Sequence, residues 1–160
     1  MPRLLLVHHT PTPVVRRLAD AVLAGARHPE LAGVEVVERA ALEADADDVR
    51  GADAIVLGTP ANFGYMSGAL KHFFDTVFLQ VGGALSDDGS AAGGEARRLP
   101  YALWVHGRYD TTGAVRSVES IVQALAWVRS APVLEVLGDP KETELERAGD
   151  LGATLAALLL

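Results

Sequence analysis

The residues best placed to do chemistry lie between Gly58 and Asp75, where the sequence reads GTPANFGYMSGALKHFFD. This stretch follows a short apolar segment, Ala54-Ile55-Val56-Leu57, and runs on into an amphipathic pattern. Between them, Thr59 to Tyr65 is a loop almost without charge, containing Pro60, Ala61, Asn62, Phe63, Gly64 and Tyr65. Surface loops are normally polar, so a small, apolar, backbone-accessible loop at a strand's end suits a flat apolar ring resting on it. Gly64 presents no side chain and permits close backbone approach to such a ring.

Two other loops carry candidate binding groups. The first is HTPTP, in which Thr10 and Thr12 place hydroxyls just before a helical pattern. A helix N-terminus with free N–H groups and hydroxyls is a ready anion site. The same residues also read as a proline-stiffened turn with a threonine N-cap. Pro11 and Pro13 each remove an N–H, although proline is well tolerated at the first helical position. The second loop is HGRYDTTGA, from His106 to Ala114. Asp110 or Thr111 followed by Gly113 reads there as helix capping, a role compatible with ligand contact.

The histidines do not read as a metal site. His8 and His9 are adjacent, so on a strand they point to opposite faces, and His72 has no partner four residues away. No carboxylate completes a ligand set around them. His9 or His106 is suited instead to a hydrogen bond with a bound ring, or to plain solvation at a strand end. Neither a G-x-S-x-G elbow nor a cysteine nucleophile is present, so no side chain is assigned a catalytic role.

The chain is long enough for one domain with a real core, residues 1–160, and too short for two. None of its apolar runs reaches the roughly 18 residues of a membrane helix, and the N-terminus lacks a signal-peptide pattern. Absence of cysteine fits a cytoplasmic location. A formal charge of −7 with scattered Lys and Arg argues against nucleic acid as a partner.

Alternation of two periodicities supplies the scaffold. Leu4 to His8 is a continuous apolar run, the pattern of a strand buried on both faces of a parallel sheet. Val14, Val15, Leu18, Ala19, Val22, Leu23 and Ala26 then recur at helical spacing, with Gly25 and Pro29 marking the end. Val34 to Val37 predicts strand two, Leu42 to Arg50 a short acidic helix or turn, and Ala54 to Gly58 strand three. Met66, Ala69, Leu70, Phe73, Phe74, Val77 and Phe78 form the stripe of the next helix. Val81 to Arg98 lacks periodicity and reads as a long loop. Tyr101 to His106 is strand four; Val115, Val118, Val122, Leu125 and Ala126 define a helix; Val133 to Leu137 is strand five; Glu142 to about Leu159 is the final helix. Five strands separated by helices imply parallel pairing through right-handed crossovers, hence an α/β fold, a three-layer α/β/α sandwich. In such sheets ligands bind beyond the carboxyl ends of the strands, which selects the three loops above.

On these residues the chain resembles the flavodoxin-like superfamily, and more closely its NAD(P)H-dependent FMN and quinone reductase branch. GTPANFGYMSGALKHFFD is similar to that branch's S-P-x-x-F/W-G-x-M-S-G-x-L-K-x-F-x-D stretch over many fixed offsets. The resemblance implies a five-stranded parallel sheet in the order 2-1-3-4-5. It implies that Pro60, Ala61, Asn62, Phe63, Gly64 and Tyr65 line the isoalloxazine edge of FMN. The first loop resembles the phosphate loop S/T-x-T-G-N-T and brings His9, Thr10, Thr12, Val14 and Val15 to the cofactor. It departs from that pattern where Gly, Asn and the third hydroxyl residue have become Pro13, Val14 and Val15. By position, His106, Gly107, Arg108, Tyr109 and Asp110 pass the pyrimidine side.

The implied function is an FMN-dependent oxidoreductase that takes electrons from NADPH or NADH and passes them to quinones, flavins or related acceptors. A flavodoxin-type electron carrier is an alternative, as is a flavodoxin-fold protein with weak or lost FMN binding. Partners are then a small-molecule acceptor or a redox protein, not nucleic acid or membrane. The resemblance also implies a homodimer or dimer of dimers.

Overall fold

The computed structural model describes residues 1–92 and 97–160. Strand β1 (Arg3–His8) leads into helix α1 (Pro13–Ala26), and a 3-10 turn at Pro29–Leu31 precedes β2 (Glu35–Ala40). Helix α2 (Ala46–Arg50), β3 (Ala54–Asn62), β4 (Tyr65–Met66) and α3 (Gly68–Val77) follow. A two-stranded ribbon, β5 (Ala84–Leu85) with β6 (Ala91–Ala92), interrupts the stretch expected to be an unbroken loop. That expectation for Val81 to Arg98 lies partly outside the described residues. The chain ends with β7 (Pro100–Gly107), α4 (Thr112–Ala124), β8 (Val128–Arg129), β9 (Leu134–Leu137) and α5 (Glu142–Ala157).

The sheet runs β2-β1-β3-β7, all parallel, with the fifth place shared. β8 pairs with the first residues of β7, and β9 pairs with its last four from Trp104 to Gly107. The expected five-place order therefore holds, with the fifth strand broken in two. Proline explains the break: Pro132 lies between the two pieces and has no N–H to donate to a ladder.

Alternate residues of β1 divide between two cores. Leu4 and Leu6 pack with α1 and α5, and Leu5 and Val7 pack with α3 and α4. Both faces are apolar because both are covered, which is why the strand reads as an unbroken hydrophobic run. Gly25 lies one residue before the end of α1 at Ala26, as its type suggested. There a Cβ would overlap the carbonyl oxygen of Gly149 on α5. Gly152 faces the Val22 carbonyl in the same way, so missing side chains set the distance between the two helices. Gly58, expected to close strand three, is not a strand end. It sits in mid-β3, and its absent side chain leaves room for the buried indole of Trp104.

No described helix is long and apolar enough to cross a membrane.

Candidate functional site

The three selected loops meet at one end of the sheet. β1 and β3 are in register with His8 opposite Gly58, and His9 N–H extends the ladder to the Gly58 carbonyl at 3.2 Å. On the other side of β3, Pro60 lies opposite His106. The loop after β1 thus begins beside the middle of β3, whose following residues run beside the end of β7.

In the first loop, Thr12 is the N-cap of α1, extended at φ −132°, and its hydroxyl accepts the Val15 N–H at 3.4 Å. The Arg16 N–H bonds the Thr12 carbonyl at 3.0 Å. With Pro11 and Pro13 offering no donor, the N–H groups of Thr10, Thr12 and Val14 make no hydrogen bond among the described residues. Val14 is half-buried, whereas Val15 points into the core under α1.

The stretch from Thr59 to Tyr65 is not a loop. β3 continues to Asn62, and β4 returns antiparallel with Asn62 opposite Tyr65 and Ala61 opposite Met66. Two residues close the hairpin, Phe63 at φ 51° and Gly64 at φ 76°. Positive φ at both positions is the type I′ geometry that matches strand twist. Gly64 adopts it freely, whereas Phe63 is held there at a cost of roughly 1–2 kcal/mol. Its ring is fully exposed.

Helix α4 braces this hairpin. The Gly64 carbonyl oxygen occupies the space a Cβ on Gly113 would need, and the Ser117 hydroxyl accepts the Met66 N–H at 3.2 Å. Beneath the hairpin, buried Thr59 accepts the Ser67 N–H at 2.9 Å, and Ser67 caps α3 by accepting the Leu70 N–H at 3.1 Å. Gly113 had read as part of a cap; its real role is this close approach.

In the third loop, Gly107 is buried with Ala61 across from it, while Arg108, Tyr109 and Asp110 are exposed. Capping of α4 falls to Asp110, which accepts the Thr112 N–H at 2.9 Å, a bond that holds its carboxyl below the usual range. The Thr111 hydroxyl instead donates to Glu135 at 2.7 Å. A fourth loop, after β9, is tied to this one. The Gly138 N–H bonds the Gly107 carbonyl at 2.8 Å, His106 Nε2 donates to the Gly138 carbonyl at 2.7 Å, and Arg108 pairs with Asp139 at 3.2 Å. Gly138 sits at φ 73°, and the G-D-P run there was the available signal for a turn.

Under the first loop lies a charged cluster that the sequence did not reveal. His8 is 4% exposed, and its Nε2 is 2.7 Å from Glu38 Oε1 on β2. Arg16 Nη2 donates to the same oxygen at 2.6 Å and pairs with Asp20 at 2.7 Å. Burial pushes His8 below its ordinary value of 6.5 despite the pull of Glu38. A carboxylate only accepts, so Nε2 carries the proton and buried Nδ1 is left as a lone pair without a partner among the described residues. Protonation there would bury an N–H with no acceptor. Burial also opposes ionisation of Glu38, but the hydrogen bonds from Arg16 and His8 outweigh it and hold its carboxyl below the usual range.

These directions set a pH dependence. With His8 lowered in the folded state, the unfolded chain takes up a proton first as the solution is acidified. The contribution of His8 is fully present above its ordinary 6.5 and is lost as pH falls toward the folded-state value. Chemical denaturation between neutral and mildly acid pH should show stability falling with pH. His8→Gln, which keeps an N–H for Glu38 and cannot titrate, should flatten that slope.

Three cavities, of about 430, 370 and 550 Å3, lie elsewhere: beside Val49 and Trp127, between Phe74 and Ile121, and between Leu134 and Leu151. A flat ring at a sheet edge needs a shelf and polar donors rather than an enclosed chamber, so topology and donor chemistry carry more weight than concavity here.

Residues 14–143 match the family model described as NADPH-dependent FMN reductase. The chain belongs to the NADPH-dependent FMN reductase family. The match begins at Val14, so Thr10–Pro13 lie outside it, while Val14 and Val15, two of the three departures from the phosphate-loop pattern, lie within it. A flavodoxin of Aquifex aeolicus is 36% identical over 92 residues, which are 58% of this chain and 48% of that protein. An NAD(P)H dehydrogenase (quinone) of Acidithiobacillus ferrooxidans is 29% identical over 130 residues, covering 70% of this chain and 62% of that one. The chain thus spans about half to three-fifths of these curated relatives. A solved flavodoxin from the domain Archaea superposes with a TM-score of 0.77 at 16% identity, covering 98% of both chains. The flavodoxin-like sheet order is therefore observed in this FMN reductase family member and shared with a distant structure.

Proposed function

We propose that the chain binds FMN across the carboxyl ends of β1, β3 and β7 and acts as an NAD(P)H-dependent oxidoreductase on quinones, flavins or related acceptors. The observation that carries this reading is the uncharged Pro60–Tyr65 hairpin braced on α4 beside Gly107, in a chain of the FMN reductase family. The donor set fits the cofactor at both ends. Pro60, Ala61, Gly64 and Gly107 carry small side chains or none and offer a shelf suited to the ring, with the exposed Phe63 ring at the hairpin turn. The free N–H groups of Thr10, Thr12 and Val14 and the Thr10 and Thr12 hydroxyls suit a phosphate monoester at the positive end of α1. When bound, FMN supplies the two-electron chemistry, accepting a hydride and passing electrons onward.

The residues around it need only bind, orient and shield. Buried His106 is engaged with the Gly138 carbonyl, which holds the third and fourth loops together beside the shelf. Exposed Tyr109, Tyr65 and Phe63 are available to flank the ring or its acceptor. His9, half-buried with its side chain unengaged among the described residues, is available for a hydrogen bond at the ring. A homodimer or dimer of dimers, and a cytoplasmic location, belong to the same reading.

Purified protein should be yellow, or should acquire a flavin spectrum on addition of FMN, and should oxidise NADPH continuously in the presence of a quinone. A colourless protein with no spectral change on adding FMN would sink this reading. A flavodoxin-type carrier is the second reading, favoured by the Aquifex relative and the net charge of −7. In that case FMN binds, but NADPH and a quinone give no steady turnover until a separate reductase is added.

A further inference from the structure

We infer that Glu38 is a positioning residue for the phosphate end of the site, where one carboxylate oxygen clasps the chain on both sides of the His9–Thr12 loop. This rests on the FMN reading above. The residue immediately before the loop, His8, reaches Glu38 Oε1 through Nε2 at 2.7 Å. Arg16, in the first turn after the loop, reaches the same oxygen through Nη2 at 2.6 Å. The loop between them spans four residues and is pinned further by the His9 N–H on Gly58.

The loop has reason to need a clasp. Pro11 and Pro13 remove two N–H donors, leaving three free N–H groups and two hydroxyls for a phosphate. Fewer donors hold an anion well only if they are already aimed, because ordering a loop on binding subtracts from affinity. Glu38 is well placed to keep them aimed, since it lies on β2, which pairs with β1 just before the loop and, among the described residues, with no other strand. Packing of hydrophobic side chains does not call for a carboxylate there. The pairing also bears on what Arg16 does: Glu38 and Asp20 engage the Nε and Nη2 edge of its guanidinium, and the clasp assigns that edge to bracing the loop rather than to the phosphate.

FMN and riboflavin share the ring and differ in the phosphate, so their affinity ratio for the full chain isolates this end of the site. In the Glu38→Ala variant the FMN-to-riboflavin ratio should fall by roughly tenfold, with riboflavin affinity itself changed by less than about twofold. Amide exchange at Thr10, Thr12 and Val14 of the ligand-free variant should quicken. Arg16→Gln, which leaves the His8–Glu38 contact in place, should move the ratio the same way by a smaller factor. Should Glu38→Ala fail to fold, Glu38→Gln keeps the shape and an acceptor without the charge, and its ratio should still fall. A ratio unchanged in the folded variants overturns the clasp. So does a ratio that rises, because the released Arg16 would then be binding phosphate. Wild-type protein that binds neither flavin overturns the FMN reading and the clasp with it, an outcome visible before any variant is made.

Discussion

Gly113→Ala should weaken FMN binding by about tenfold, or about 1.4 kcal/mol, while leaving global stability nearly unchanged. The added Cβ would occupy the position of the Gly64 carbonyl oxygen, so the hairpin turn must move away from α4. The hairpin is at the surface and its tip is already strained at Phe63, so it can shift at modest cost. Alanine in the first turn of α4 also recovers part of the roughly 1 kcal/mol of helix propensity that glycine forfeits. The two effects on stability oppose each other, and the loss falls on the shelf. Flavin fluorescence titration measures the affinity, and a thermal melt separates it from unfolding. Wild-type affinity in a well-folded variant would mean that the hairpin does not support the ring.

Gly25→Ala should behave in the opposite way, costing about 3 kcal/mol of stability. The propensity gain of roughly 1 kcal/mol is again available, but here it is overwhelmed. The new Cβ meets the backbone of Gly149 rather than a movable side chain, and both helices are packed on the same buried sheet face. Neither helix can retreat without opening the core formed by Val22, Leu18, Ala148 and Leu155. For a chain of this length the loss corresponds to a fall in Tm of about 6–12 °C. Gly152→Ala, facing the Val22 carbonyl, should do the same. A Tm within a degree or two of wild type in both variants would show that α1 and α5 can slide apart cheaply.

The order of strands and helices was legible because local periodicity reports burial. Leu4 to Val7 reads as a two-faced strand, and Leu70, Phe73, Phe74 and Val77 read as one face of a helix. The Gly58–Asp75 motif led to the family and to the carboxyl edge of the sheet, both of which the family match and the fold support. Where strand three ended was not legible. Proline and glycine at positions 60 and 64 signal a turn, yet pairing with β7 and β4 carries the strand on to Asn62.

By itself, then, the sequence determined the fold class, the element order and which end of the sheet to inspect, because those follow from interactions between near neighbours in the chain. The tertiary structure alone decided what the glycines do and what flanks the loop after β1. Gly25 meets Gly149, Gly113 meets Gly64, and His8 and Arg16 converge on Glu38 across more than twenty residues of chain. Such contacts join positions whose separation carries no period, so no local pattern announces them. The apolar stretch at Thr59 to Tyr65 was visible as an oddity, but only packing against α4 makes it a braced shelf.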